Sequence, residues 1–526
     1  MFYSILYPTK EQAERPREHR EPEYFQDLHL DHIFNFLLTE EKGFGRRVKK
    51  DFGLESVFYT PVRDPDVILY RQEVLRELED ENIRAVIAAF AAEVFAVGLI
   101  LKGIREALDS LEKERDNYMT RGQLIHCVER YCHMISSFTQ KITALDFHSR
   151  GLRGFAAYLK AYAASDKFQT MCRQFQNLRQ RLSEVRFCML IKNDTIRVRR
   201  YEGQTDHAEE LLALFSRFSP EEEAETYTAK QTFAPLDWRL EIEVLKLVAE
   251  AHKDIFRSLD KFCLQYANFQ DESILRFCQE VHFYLLWLDF IAPMRKLNLP
   301  FCYPQMQADA SHLYAYDTYD LALAHMHSSE NKPVVPNDFA LKAPEQILVI
   351  TGANQGGKTT FARTFGQLHY LASLGLCVPG RKAALLLFDK ILTHFEREED
   401  LTELSGKLQD DLLRLQKLLQ QATAKSVIII NEIFSSTTLS DALNLGRKMM
   451  DDLIKLGAPA VVVTFLDELA THGPETVSMV STVREDGSAE RTYKIIRKPP
   501  DGLAYALTLI KKHGLTYEQL AGRLAP

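Results

Sequence analysis

Apolar residues recur at steps of three and four from about residue 26 to residue 300, and that spacing predicts helices. VILYRQEVLRELEDENIRAVIAAF (67–90) and LEIEVLKLVAEAHKDIFRSLDKFCLQY (240–266) show the pattern most clearly. Helix breakers are few, so the helices should be long and the connections short, as in an elongated bundle. One stretch departs from it. RFCMLIKNDTIRVRRYEG (186–203) alternates about Asn193-Asp194, which predicts a β-hairpin with Ile196 and Val198 facing one way and Arg197 and Arg199 the other. A Pro/Asn/Ser-rich connector, HSSENKPVVPNDF (327–339), then closes the helical part. Beyond it the short apolar runs QILVI, ALLLF, SVIIIN and AVVVTF alternate with helical stretches. That order predicts a largely parallel sheet with helices on its faces. The expected organisation is multidomain: an N-terminal arm (1–25), a long-helix domain (26–335) carrying a small hairpin near 186–201, and an α/β domain (336–526).

Composition changes this picture little. The chain has 526 residues, 46% of them hydrophobic, and a formal net charge of −8. An acidic balance gives no general attraction to nucleic acid, so any such binding needs a local patch. The hairpin supplies one: Arg186, Lys192, Arg197, Arg199 and Arg200 stand against the single acid Asp194. The eight cysteines form no CxxC pair, which predicts reduced thiols and a cytoplasmic protein. No basic region precedes a short apolar segment at the N-terminus, so a secretory signal is not expected. AVIAAFAAEVFAVGLIL (85–101) approaches the length of a membrane span, but Glu93 near its middle favours a buried helix and no membrane contact.

The chemistry begins at QILVITGANQGGKTTFARTF (346–365), which fits strand–GxxxxGK[ST]–helix. Small residues let backbone N–H groups converge on phosphates at a helix N-terminus. The candidate nucleotide-binding residues are Gly352, Ala353, Asn354, Gln355, Gly356, Gly357, Lys358, Thr359 and Thr360. Lys358 would reach the β- and γ-phosphates of ATP, and the Thr359 hydroxyl would hold Mg²⁺. A second strand ends in VIIINEIFSSTT (427–438). Glu432 there is the candidate that polarises water, with Asn431 touching the Mg²⁺ shell through a water; an amide lacks the charge that offsets the metal. A third element, LSGKLQDDLLRLQKLL (404–419), opens an amphipathic helix at Ser405-Gly406, an end suited to an anion.

In order and spacing, these blocks resemble the ATPase domain of the MutS DNA mismatch-repair family. VVPNDFAL precedes the phosphate-loop strand, TGANQGGKTTF resembles TGPNMGGKST, and SLGLCVP follows on the next helix. NEIFSSTTLSDAL resembles DEIGRGTSTYDGL, and TFLDELA resembles THYFELT. The likeness covers about 190 residues; the helical half, from FYTPVRDPDVILYRQEVLREL onward, is similar to the family's core and lever helices, and the hairpin to its DNA clamp. The resemblance implies that Asn337 belongs to the adenine-side loop and that Ser405 and Gly406 complete a partner subunit's site. Thr437, Thr438 and Asp441 then fall at the dimer interface. Two site positions depart from the family: its metal-holding Asp is Asn431, and its γ-phosphate-sensing His aligns with Phe465. The mismatch-reading domain and a C-terminal nuclease-like extension are expected to be missing.

The fold expected is therefore a long-helix lever/core bundle with a β-hairpin clamp element, followed by an α/β P-loop ATPase domain of the ABC/MutS type. The function expected is a slow Mg²⁺- and ATP-dependent ATPase, with Lys358 and Glu432 catalytic. It would work as a homodimeric clamp on double-stranded DNA in repair or recombination, without specific mismatch reading. Lys192, Arg197, Arg199 and Arg200 are the candidate DNA contacts. The alternative is an ATP-binding dimerisation scaffold that turns over little and engages a protein partner.

Overall fold

A computed structural model describes residues 2–42, 46–49, 52–110, 118–192, 195–204, 238–396, 407–434, 436–483 and 491–500. The chain gathers into two compact units that interleave along the sequence. Residues 1–2, 85–146 and 154–278 form one, and residues 3–84, 147–153 and 279–526 form the other. The boundary that the sequence pattern places near residue 335 is not where either unit begins.

The first unit is helical. Its long elements are α1 (Glu81–Ser110), α2 (Tyr118–Thr143), α3 (Asp166–Ser183), α4 (Trp238–Ala251) and α5 (Lys253–Gln265). Ser165 caps α3 by accepting from Phe168 N, and Phe168, Met171, Phe175 and Leu178 then fall on one buried face. Full burial of such a side chain is worth roughly 1.5–3 kcal/mol. The α1 residue Phe90 stacks on Phe138 of α2 with ring centroids 3.7 Å apart. The expectation that 85–101 is a buried helix needs correcting. Ile87, Phe90, Ala91, Val94 and Val97 are buried, whereas Leu99 and Ile100 are exposed. One face packs and the other does not. Of the described helices, this one is long and apolar enough to cross a bilayer by length and composition, with 28% of its apolar window buried.

The same unit carries the hairpin β1 (Phe187–Lys192) and β2 (Thr195–Arg200), paired antiparallel with Leu190 opposite Arg197 and Phe187 opposite Arg200. Asn193 and Asp194, the expected turn, lie outside the described residues.

In the second unit, the N-terminal stretch is no loose arm. Ser4, Ile5, Leu6 and Tyr7 are buried. Ser4 Oγ donates to Glu280 Oε2 at 2.7 Å, and the buried Arg71 donates to Leu6 O at 3.1 Å and Leu374 O at 3.0 Å. Two sheets follow. One is mixed, in the order Gln305–Gln307, Lys382–Leu386, His312–Thr318, Asn337–Lys342. ALLLF therefore corrects a sequence expectation: its strand joins this mixed sheet, pairing antiparallel with His312–Thr318, not the parallel one.

The parallel sheet comprises β3 (Ile347–Gly352), β4 (Ile391–His394), β5 (Val427–Asn431), β6 (Ala460–Val463) and β7 (Thr476–Val483), with β8 (Arg491–Arg497) antiparallel at one edge. Its order is β4-β5-β6-β3-β7-β8. Strands β3, β5 and β6 are nearly continuous buried runs of Val and Ile, as two covered faces require. Helix α6 (Lys358–Ser373) leaves β3 and is buried on almost every side. Helices α7 (Lys407–Gln421) and α8 (Leu439–Leu456) contribute Leu415, Leu418, Met449 and Leu453 to the core beneath β5 and β6. Because β3, β5 and β6 are parallel neighbours, the loops leaving them collect at one sheet edge.

Candidate functional site

The loop between β3 and α6 is shaped by glycines and by one serine. Gly352 and Gly357 have φ of 106° and 94°, in the left-handed region open to glycine. A side chain at Gly352 would stand 2.8 Å from Ser481 O, and one at Gly356 would stand 2.0 Å from Ser481 Oγ. Ser481 of β7 donates to Gly356 O at 2.9 Å and so fixes the curl. Lys358 opens α6 buried, its Nζ donating to Gly352 O at 2.8 Å, Asn354 Oδ1 at 3.2 Å and Ala353 O at 3.4 Å. The ring of Phe465 lies 4.9 Å from the same nitrogen. Burial lowers the Lys358 pKa, and the charges of Glu432 and Asp467 oppose that shift.

Thr359 Oγ1 donates to Asn431 Oδ1 at 3.0 Å, so the start of α6 meets the end of β5. Glu432 follows with φ of 55°, its N–H bonded to Val463 O at 3.0 Å. The backbone there is strained, and the acid is turned off the strand. Thr438 caps α8 by accepting from Asp441 N at 3.2 Å; Thr437 precedes it on the exposed loop. A cleft of about 580 Å³ runs past Gln355, Lys358, Thr359 and Glu432 to Asn337 and Tyr493. Asn337 is pinned between elements, accepting from Ile495 N at 2.8 Å and donating to Tyr493 O at 3.1 Å.

Of the residues singled out from the sequence, Asn337, Gln355, Gly357, Lys358, Thr359, Thr360 and Glu432 line this cleft, while Asn431 joins it through Thr359 and Gly352 through Lys358. Ser405 and Gly406 lie outside the described residues. Four neighbours had no sequence signal: Ser481, Tyr493, Asp467 and Arg491, whose Nε donates to Asn354 O at 2.7 Å. The site offers what an anionic phosphate chain needs: a helix N-terminus, a buried ammonium and hydroxyl groups. It also offers the two neutral oxygens of Thr359 and Asn431 and one nearby carboxylate, all hard donors that suit Mg²⁺.

The hairpin sorts its arginines by face. Register puts Arg197 and Arg199 on one side with Leu190 and Cys188, all outside the apolar packing. The other side carries Phe187, Met189, Ile196 and Val198, and a cleft lined by Phe187, Met189 and Ile196 separates it in part from Leu240 and Val248 of α4. Arg200 belongs to this second side. Its Nε donates to Ala251 O at the end of α4, a favourable place for a cation. Arg200 is therefore set apart from Arg197 and Arg199 and engaged by a helix, whereas Lys192 ends β1 opposite Thr195, in the same alternation as Leu190 and Cys188.

Residues 348–510 match the family model described as MutS domain V. Over 192 residues the chain is 29% identical to the DNA mismatch repair protein MutS of Thermotoga sp. (strain RQ2), covering 36% of this chain and 23% of that protein. Over 195 residues it is 32% identical to the endonuclease MutS2 of Thermus thermophilus, covering 36% of this chain and 26% of that protein. The chain thus matches about a quarter of the length of these curated relatives.

Proposed function

From a chain whose C-terminal region, through residues 348–510, belongs to the MutS family, we propose a MutS-like ATPase that works as a dimeric, nucleotide-controlled clamp on double-stranded DNA. The reaction is ATP plus water to ADP plus phosphate, and it is slow. The observation that carries the reading is the meeting of Lys358 and Thr359 at the head of α6 with Asn431 and Glu432 at the end of β5.

The first-turn N–H groups of α6 receive the phosphates, with the helix dipole behind them. Lys358 exchanges its loop carbonyls for phosphate oxygens. Glu432 accepts the proton of the attacking water. Thr359 and, through a water, Asn431 would hold Mg²⁺, which would supply charge to offset that developing on the phosphates. Asn431 contributes no charge to that metal, so turnover demands more of it. Asn337 lies at the base end of the cleft. The reading assigns the lever and clamp to the helical part between 26 and 335, the ATPase to 336–526, and completion of the partner's site to Ser405 and Gly406. Arg197 and Arg199 contact DNA phosphates without reading bases. Among the described residues no cysteine is joined in a disulfide, in keeping with a cytoplasmic protein.

A second reading has its own support. Asn431 in place of an acid, and an aromatic ring at 465, favour a scaffold that binds ATP with little turnover and engages a protein. Phosphate release by wild type and Glu432→Gln, alongside binding to duplex, mismatched and branched DNA with and without ATP, separates the two. ATP-dependent DNA binding together with Glu432-dependent release supports the ATPase clamp. Release unchanged in Glu432→Gln and no DNA binding would leave the scaffold.

A further inference from the structure

We propose that Phe465 makes this cleft discriminate between nucleoside di- and triphosphates, its ring standing where a terminal phosphate would meet Lys358, so that the free site favours the diphosphate. The inference rests on the nucleotide-site reading and goes beyond it by naming the phosphate chain the site prefers.

The backbone around Phe465 is fixed. Thr464 N donates to Ile350 O at 3.1 Å, and Leu466 N donates to Thr464 Oγ1 at 3.1 Å. Leu466 and Leu469 are buried in the core, and Leu469 packs so closely on Gly446 that a side chain there would stand 2.8 Å from its Cδ1. Phe465 itself points out of this anchored turn and is 51% exposed. It lies against a cation, 4.9 Å from Lys358 Nζ.

Strand order fixes which end of a phosphate chain this ring faces. Strand β6 lies between β3, which leads into the phosphate loop, and β5, which ends at Asn431. The turn after β6 therefore stands between the phosphate loop and Glu432, on the side where the last phosphate and the attacking water belong. Three contacts of Lys358 Nζ go back to the loop, to Gly352 O, Ala353 O and Asn354 Oδ1. Phe465 covers a further side. An ammonium-to-phosphate contact needs an oxygen at about 2.8 Å from the nitrogen. A phosphate approaching from that side must move the ring.

It must also approach the carboxylates of Glu432 and Asp467, both close enough to act on Lys358. A diphosphate held by the N–H groups of α6 meets neither cost. A cation–π contact of this kind corresponds to about a five- to tenfold factor in affinity.

The test is competition of ADP and ATP against a fluorescent nucleotide analogue, using the full chain, in EDTA and in Mg²⁺. Wild type, Phe465→Ala and Phe465→Leu are compared, with thermal melts confirming that each is folded. Wild type is expected to bind ADP about tenfold more tightly than ATP in EDTA. In Phe465→Ala, ATP affinity should rise about five- to tenfold while ADP affinity stays within about twofold. Phe465→Leu should move in the same direction by less, and it decides the matter if the alanine variant does not fold. An unchanged ADP-to-ATP ratio in folded variants overturns the proposal and leaves the nucleotide site standing. Equal affinity for ADP and ATP in wild type also overturns it. Failure of wild type to bind either nucleotide overturns both the proposal and the reading beneath it.

Discussion

Thr359 Oγ1 and Asn431 Oδ1 lie 3.0 Å apart, joining the second residue of α6 to the last residue of β5 through a hydrogen bond between two uncharged groups. A carboxylate at 431 would make the same bond charge-assisted and roughly twice as strong. The amide keeps the geometry and gives up the charge. Catalytic consequences of this pair therefore concern metal demand more than shape.

Asn431→Asp is accordingly expected to leave the fold unchanged and to lower the Mg²⁺ concentration needed for half-maximal phosphate release by about tenfold, with turnover equal or higher. Glu432→Gln should keep nucleotide binding and reduce turnover by 10²-fold or more, on the order of a lost general base. A metal titration followed by a phosphate-release assay reads both.

Lys358→Ala removes the buried ammonium bonded to Gly352 O and Asn354 Oδ1. Wild type should melt at a higher temperature in millimolar Mg-ATP, since a ligand of the folded state adds RT ln(1 + [L]/Kd). The variant should show no such rise. A wild type that ATP does not stabilise would remove the nucleotide site.

Gly356→Ala places a methyl carbon 2.0 Å from Ser481 Oγ and 2.9 Å from Ala353 O. Overpacking of this kind costs about 1–3 kcal/mol, and here it also spreads the loop proposed to receive the phosphates. Nucleotide affinity should fall with stability in a denaturant melt. Adding Ser481→Ala removes the oxygen and should restore part of the stability, because the carbonyl contact remains.

The candidate phosphate loop was legible because its pattern is local: Gly352 to Thr360 are consecutive, even though Gly352 and Gly356 answer a constraint set by the distant Ser481. Asn431 and Glu432 were legible because a run of β-branched residues ends there. Ser481 and Tyr493 were not, since each joins the site through pairing with a strand more than a hundred residues away. The same limit explains ALLLF and Ser4–Tyr7. An apolar run states that it is buried, but not in which sheet, and a short polar-flanked segment has too few residues for a period. Arg200 shows the reverse: alternation alone sorted it away from Arg197 and Arg199, yet charge counting grouped it with them.

The hairpin prediction follows from that sorting. Arg197→Glu with Arg199→Glu should weaken binding to all duplex sequences alike and lower the log–log salt slope by about two. Arg200→Ala should chiefly destabilise, through the lost bond to Ala251 O, with little change in that slope. Filter binding across a salt series separates the two variants. An equal effect of Arg200 on the slope would restore it to the contact surface.

His369 gives a pH dependence with a defined sign. It is fully buried in α6, its Nδ1 2.8 Å from Phe365 O, and burial pulls its pKa down to about 4 from 6.5. The unfolded chain then binds the proton more readily than the folded one below pH 6.5. The stability it contributes is fully present above about pH 6.5 and is lost as the pH falls toward 4, about 2 kcal/mol of it by pH 5. His369→Gln should flatten that part of the stability–pH curve measured by urea unfolding.

Arg71 holds Leu6 O and Leu374 O at once, and Ser4 reaches Glu280. The bond from Arg71 to Leu374 O spans 303 residues, so it can form only after Leu374 has left the ribosome. In sequence, residues 85–146 and 154–278 of the first unit form an insertion in the second that is interrupted by 147–153. If that insertion collapses first, the span to be closed shortens and so does its entropic cost, which grows with the logarithm of loop length. The nascent chain thus carries a built-in waiting period, during which the Arg71 guanidinium lacks one of its two carbonyl partners.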